Sequence, residues 1–254
     1  MTQQIDNLHF DAKHIWHPYS SVKQAGQIHE VASADGVYLT LKDGRKIIDG
    51  MSSWWSAIHG YNHPEINQAA KQQIDDMAHV MFGGLTHSPA IDLARRLIDI
   101  TAAPLQYVFF TDSGSVGVEV AIKMAIQSWF SQGQPQKQKI LTVRNGYHGD
   151  TFGAMSVSDP ENGMHNLFEH VLAKHIFAPA PACQHDEDWQ DHYIDQFRTL
   201  IAENHQQLAA VIIEPLVQGA GGMRVYCPEY LRQIRSLCDR YNVLLILDEI
   251  ATGF

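Results

Sequence analysis

Residues Tyr107–Ala125, YVFFTDSGSVGVEVAIKMA, read as a strand, a tight turn and a helix in direct succession. Tyr107 to Thr111 is rich enough in aromatic and β-branched side chains for a buried strand, and from Ser115 onward Val116, Val120, Ala121 and Met124 share one helical face. Gly114 then falls at the helix entrance. A Gly–Ser pair there turns unpaired backbone N–H groups and a hydroxyl toward an anion, with the helix dipole adding about 0.3–1 kcal/mol. Such a turn is a phosphate cup. The same Asp112-Ser113-Gly114-Ser115 also suits a plain helix cap, since Asp and Ser are preferred at that position. A nucleophilic serine fits less well, because Ser115 has Gly114 directly before it, where a nucleophile elbow needs a glycine two residues away on each side.

With 254 residues, 45% of them hydrophobic, the chain can bury a large α/β core. A formal charge of −10 leaves no basic footprint for nucleic acid or an anionic membrane. Cys183, Cys227 and Cys238 are odd in number and lack Cys-x-x-Cys spacing, which speaks against a disulfide framework or zinc knuckle and suits a reducing cytoplasm. The start has no basic segment followed by an apolar one, and no apolar run approaches the ~20 residues of a membrane span, so neither export nor a span is expected. Among the fifteen histidines, the pairs His14/His17 and His59/His63 lack the Glu of a His-Glu-x-x-His helix, so a metal site is not expected.

Residues 1–60 read as irregular and strand-like, an appendage with a hairpin formed by 36–39 and 45–48 around Lys42-Asp43-Gly44. Three of the five tryptophans lie there, in His14-Ile15-Trp16-His17-Pro18-Tyr19 and Met51-Ser52-Ser53-Trp54-Trp55, and either pack the appendage or line a pocket. Helices are predicted from Pro64 to about Val80 and, capped by Ser88, from Pro89 onward. Strands follow at Lys139–Val143, Ala209–Ile213 and Val243–Leu247, with helices at 193–205 and 228–240. Gly219-x-Gly221 lacks the third glycine of a dinucleotide loop and is read as a flexible turn. From residue 61 to 254 the alternation of strands and helices predicts a mainly parallel sheet with crossover helices. The strand ends are where ligands collect, and they carry Tyr147-His148, Glu214 and Asp248. A phosphate cup, an aromatic loop and a strand-end carboxylate meeting in one crevice would suit pyridoxal phosphate, whose protonated ring nitrogen needs a carboxylate partner.

Asp112-Ser113-Gly114-Ser115, Gly146-Tyr147-His148-Gly149, Glu214-Pro215 and Asp248-Glu249-Ile250, in that order, resemble the class III aminotransferases of fold type I. The aromatic segments around Tyr19 and Trp54, with His79-Val80-Met81-Phe82-Gly83-Gly84, resemble the branch of that family that serves biotin synthesis. The resemblance implies pyridoxal 5'-phosphate held by Gly114 and Ser115 at its phosphate, by Tyr147 and Ile250 at its ring, and by Asp248 at its nitrogen. It implies a substrate pocket lined by Tyr19, Trp54 and Tyr147, a homodimer, and amino transfer from S-adenosylmethionine to 7-keto-8-aminopelargonate. By the same resemblance residues 1–60 belong to the small domain and substrate pocket, and 61–254 to an incomplete large domain.

In this family the Schiff-base lysine lies a few tens of residues beyond the strand-end Asp. Here no lysine follows Lys174, so the expectation is a fragment of an aminotransferase that does not turn over by itself. Three other readings stay open: a class III aminotransferase with a different donor, a non-catalytic binding or scaffold protein, and a serine hydrolase built on Ser115.

Overall fold

Strand β6, Leu208–Ile213, is the axis of the structure, a computed structural model that describes residues 6–23, 26–161 and 167–253. Every one of its residues is buried, because the strand has neighbours on both edges and helices on both faces. The sheet order is β5-β4-β6-β9, all parallel, with β4 at Lys139–Val143, β5 at Ile176–Ala178 and β9 at Leu244–Leu247. Ala210 of β6 is registered with Ile140 on one side, and Ile212 with Ile246 on the other.

Alternate residues of β6 serve two cores. Ala210 and Ile212 join Val118, Ile122, Ala125 and Trp129 of α5 (Gly114–Ser131) and Ala154 and Val157 of α6 (Phe152–Val157). Val211 and Ile213 join Phe197 and Ile201 of α7 (Asp195–Asn204) and Ile234 and Leu237 of α8 (Pro228–Tyr241). A strand covered on both faces has to be apolar throughout, which is how LAAVII reads. Lys137 closes the edge where the strands begin: its buried ammonium donates to the carbonyls of His205, Leu208 and Asn242 at 2.8–3.2 Å and lies 4.1 Å from the centre of the Trp129 ring.

The chain divides into two compact units, Met1–Gln106 and Tyr107–Phe254. In the first, α1 (Asn7–His14) precedes an antiparallel sheet β1-β2-β3 at Val31–Asp35, Tyr38–Leu41 and Lys46–Ile48. Helices α3 (Pro64–Met77) and α4 (Ser88–Ile100) follow. Between sheet and helices, Ser52–Trp55 forms one turn, α2, in which all four residues have positive φ, from 47° to 69°. Left-handed turns of residues with side chains cost roughly 1–2 kcal/mol per residue.

Several expectations are corrected here. Tyr107–Thr111 is not a strand: it is irregular and Tyr107 is 97% exposed, because no strand among the described residues pairs with it. The buried face of α5 is Val118-Ile122-Ala125-Trp129, and Met124 is exposed; the helix is apolar nearly all round, so periodicity could not pick the side. His87, not Ser88, caps α4, its Nδ1 accepting the N–H of Ala90. The appendage contains α1, where a strand-like chain was expected, and its hairpin gains a third strand, β1.

Candidate functional site

Three parallel strands deliver their carboxyl ends to the same edge of the sheet, the place where an open α/β sheet leaves a crevice. From β4 comes the loop 144–150, from β6 comes Glu214 and from β9 comes Asp248. The entrance of α5 stands beside them, with Ser113 capping it by accepting the Val116 N–H at 3.2 Å. A hollow of about 520 Å³ lies between the entrance of α5 and the end of β9, lined among others by Ser113, Gly114, Leu247, Asp248 and Ile250.

Asp248, in this hollow, is held from behind. Its Oδ2 lies 2.8 Å from Nδ1 of His148, whose side chain is wholly buried, and its own side chain is only 8% exposed. A carboxylate is an acceptor, so Nδ1 is the donor in this contact. Nε2 finds no hydrogen-bond partner among the described residues.

Glu214 fastens two loops. One of its oxygens accepts the N–H of Tyr147 at 3.0 Å and the other the N–H of Gly219 at 2.9 Å. Burial pushes this carboxyl above its ordinary range, opposed by the two N–H groups and by His148. Two glycines make the close packing possible. Gly149, at φ +122°, would put a Cβ 2.2 Å from Ser115 Oγ, and a Cβ on Gly221 would fall 1.8 Å from the Asn145 carbonyl oxygen.

The structure therefore brings Gly114, Asp248 and Ile250 to one hollow. Ser115 and Tyr147 are not among its lining residues: Ser115 Oγ, in the first turn of α5, accepts the Asp150 N–H at 3.0 Å, and half-buried Tyr147 is held by its backbone on Glu214. Tyr19 and Trp54 meet in the other unit, edge to face with ring centres 5.8 Å apart, both more than 60% exposed. Sequence reasoning gave no role to His148 or Glu214. The signal was present, since each is a polar residue placed at the end of an apolar strand or in its following loop, as Asp248 is.

Comparison with known proteins decides the lineage. The model of the family "aminotransferase class-III" matches residues 19–254. The chain belongs to the class III aminotransferases. It is 56% identical over 251 residues to an adenosylmethionine-8-amino-7-oxononanoate aminotransferase of Buchnera aphidicola from Acyrthosiphon pisum, covering 99% of this chain and 58% of that protein. The Saccharomyces cerevisiae protein of the same name is 45% identical over 97% of this chain and 55% of its own length. Among solved structures, the Methanocaldococcus jannaschii protein of that name superposes with a TM-score of 0.90 at 35% identity, over 97% of this chain and 55% of that one. A Pseudomonas amine transaminase solved in a PLP-bound form gives 0.82 at 35% identity, over 95% and 56%. The chain thus spans little more than half the length of these class III relatives, and its fold is that of fold type I transaminases.

Proposed function

We propose that this chain is the cofactor-facing part of an aminotransferase that moves an amino group from S-adenosylmethionine to 7-keto-8-aminopelargonate, with pyridoxal 5'-phosphate as cofactor. The names of its relatives support the substrates, and one observation supports the cofactor: a buried carboxylate, braced by an imidazole, shares a hollow with a glycine-led helix entrance. The two ends of that hollow suit the two ends of the cofactor. Backbone N–H groups at the start of α5 favour the phosphate. Gly114 keeps the space open, since a Cβ there would stand 3.2 Å from Ile250 Cγ1.

When bound, pyridoxal phosphate supplies the electron sink that lets the α-carbon of an amine lose its proton. The chain's own residues prepare that state. Asp248, oriented by the Nδ1–H of His148, would pair with the ring nitrogen and favour its protonated form. Ile250 would back the ring and Tyr147 would stack on it, while Gly114 and Ser115 would take the phosphate. We assign Tyr19, Trp54 and Tyr147 to substrate binding, and the unusual left-handed turn at Ser52–Trp55 is the kind of backbone strain that collects at binding sites. We assign residues 1–60 to the small domain and substrate pocket and 61–254 to the large domain of a cytoplasmic homodimer. No helix of the described residues is long and apolar enough to cross a membrane.

The test is a titration with pyridoxal phosphate followed by cofactor absorbance and tryptophan fluorescence. Wild type should bind, and Asp248→Asn should weaken binding at least about tenfold, roughly the worth of one lost charge-assisted contact. Equal binding by both proteins, or none by wild type, removes the cofactor assignment. For the substrate, calorimetric titration with 7-keto-8-aminopelargonate should lose affinity in Trp54→Ala, and unchanged affinity would take Trp54 out of the pocket.

A further inference from the structure

Away from the strand ends, Cys183 and Cys227 face one another across a single antiparallel rung. The bridge joins Gln184 to Tyr226, and the N–H of Cys227 donates to the Cys183 carbonyl at 3.3 Å. The two cysteines are therefore directly opposite. At such a hydrogen-bonded rung the Cα atoms stand about 5.5 Å apart, inside the roughly 4.4–6.8 Å that a disulfide spans. The Cys227 thiol is close enough to act on that of Cys183, and both are free and buried, at 2% and 3% exposure.

Gln184 to Asp188 are all exposed, and the turn is tied down by Glu187, which accepts the Gln184 N–H at 3.0 Å and the Tyr193 hydroxyl. Cys227 caps the start of α8 on the other side. A bond between the two sulfurs would join the loop before α7 to the entry of α8 and enclose α7 and β6 within one covalent ring.

We infer that Cys183 and Cys227 are a thiol–disulfide pair, a modification site at which a low-molecular-weight disulfide closes a staple across this rung. One cysteine thiolate attacks a sulfur of R–S–S–R and expels R–S⁻, which takes up the proton that the cysteine lost. The second cysteine then attacks the first one's sulfur in the mixed disulfide and expels the other R–S⁻, again protonated. Two cysteine thiols are oxidised, the added disulfide is reduced to two R–SH, and the protein loses two hydrogens. Burial first, and then Cys227, push the Cys183 thiol up to about 12, so the closed loop protects it and reaction waits on local opening.

The test uses the native chain in a buffer of glutathione and its disulfide at about pH 8, where thiolates begin to form. After alkylation under denaturing conditions, peptide mapping should show Cys183 joined to Cys227 and Cys238 alkylated. The oxidised protein should melt several degrees higher, be cut about fivefold or more slowly between residues 184 and 190, and revert with dithiothreitol. A glutathione adduct that persists on either cysteine without closing, a bridge that includes Cys238, or closure seen only after denaturation would overturn the inference. Cys183→Ser and Cys227→Ser supply a second arm: each should stop at a single adduct, and a bridge through Cys238 in either variant counts against the pair.

Discussion

Strands β6 and β9 are both short apolar runs, LAAVII and LLIL, and the structure treats them oppositely. Every residue of β6 is at 0% exposure, whereas Leu244 and Leu247 at the ends of β9 stand at 39% and 40%. Composition does not separate them. β6 has β4 on one edge and β9 on the other, while β9 pairs only with β6 among the described residues. Apolar content thus tells a strand to seek cover, and the number of neighbours decides how much it gets. The opposite edge strand, β5, is better shielded, with Ala178 fully buried.

The largest effect should come from breaking the central strand. Ile212→Ala removes side-chain volume from a fully packed site and should cost ~2–5 kcal/mol in urea unfolding, against less than ~1 kcal/mol for Leu244→Ala. Equal costs would mean that the outer edge of β9 is covered in solution, and the contrast between the strands would fall.

The covered edge can be probed with acid. His175 leads into β5, and its Nδ1 accepts the Ile140 N–H of β4 at 3.2 Å. Burial, and then Lys139, hold this histidine down to about 4 from 6.5. Above pH 6.5 both folded and unfolded forms are neutral there and nothing changes. As pH falls from 6.5 toward 4 only the unfolded chain takes the proton, so stability should drop by ~2–3 kcal/mol after some screening. His175→Asn retains an acceptor for the Ile140 N–H and should flatten that part of the profile. A profile unchanged by the substitution would show that the β4–β5 edge is wetter than its geometry implies.

Sequence reading went furthest where one residue's neighbours in the chain were also its neighbours in space. The strand at Lys139–Val143, the helix opened by Pro228 and the Gly114 entrance needed only local rules, and all three stand where they were expected. Asp248 was legible as an acid at a strand end, but its partner His148 was not, because one hundred residues separate them and only the sheet order brings them together. The same holds for α5. Its apolar ring gave no hint of which side β6 would cover, and the exposed Tyr107–Thr111 segment, as β-prone as β9, found no neighbouring strand among the described residues.

The strand-end acids carry the comparison down to single oxygens. Glu214, from the buried strand, spends both oxygens on backbone N–H groups of different loops, so Glu214→Gln must turn its amide N–H₂ against one of them and should cost about 1–2 kcal/mol at neutral pH. Because burial raises this carboxyl, the native protein stores a penalty that grows as pH climbs from 4.5 through the raised value. The stability gap between wild type and Glu214→Gln should therefore narrow over that range. Asp248, from the open strand, receives one imidazole N–H and a longer Ile250 N–H at 3.3 Å, and an amide oxygen can replace the accepting atom toward His148. Asp248→Asn should thus change stability by less than ~1 kcal/mol, the smallest of these effects, even though the proposed function predicts at least about tenfold weaker cofactor binding. Should Asp248→Asn unfold the protein as readily as Glu214→Gln, the carboxylate of β9 would be a structural anchor like that of β6, and the division between a bracing acid and a working acid would not hold.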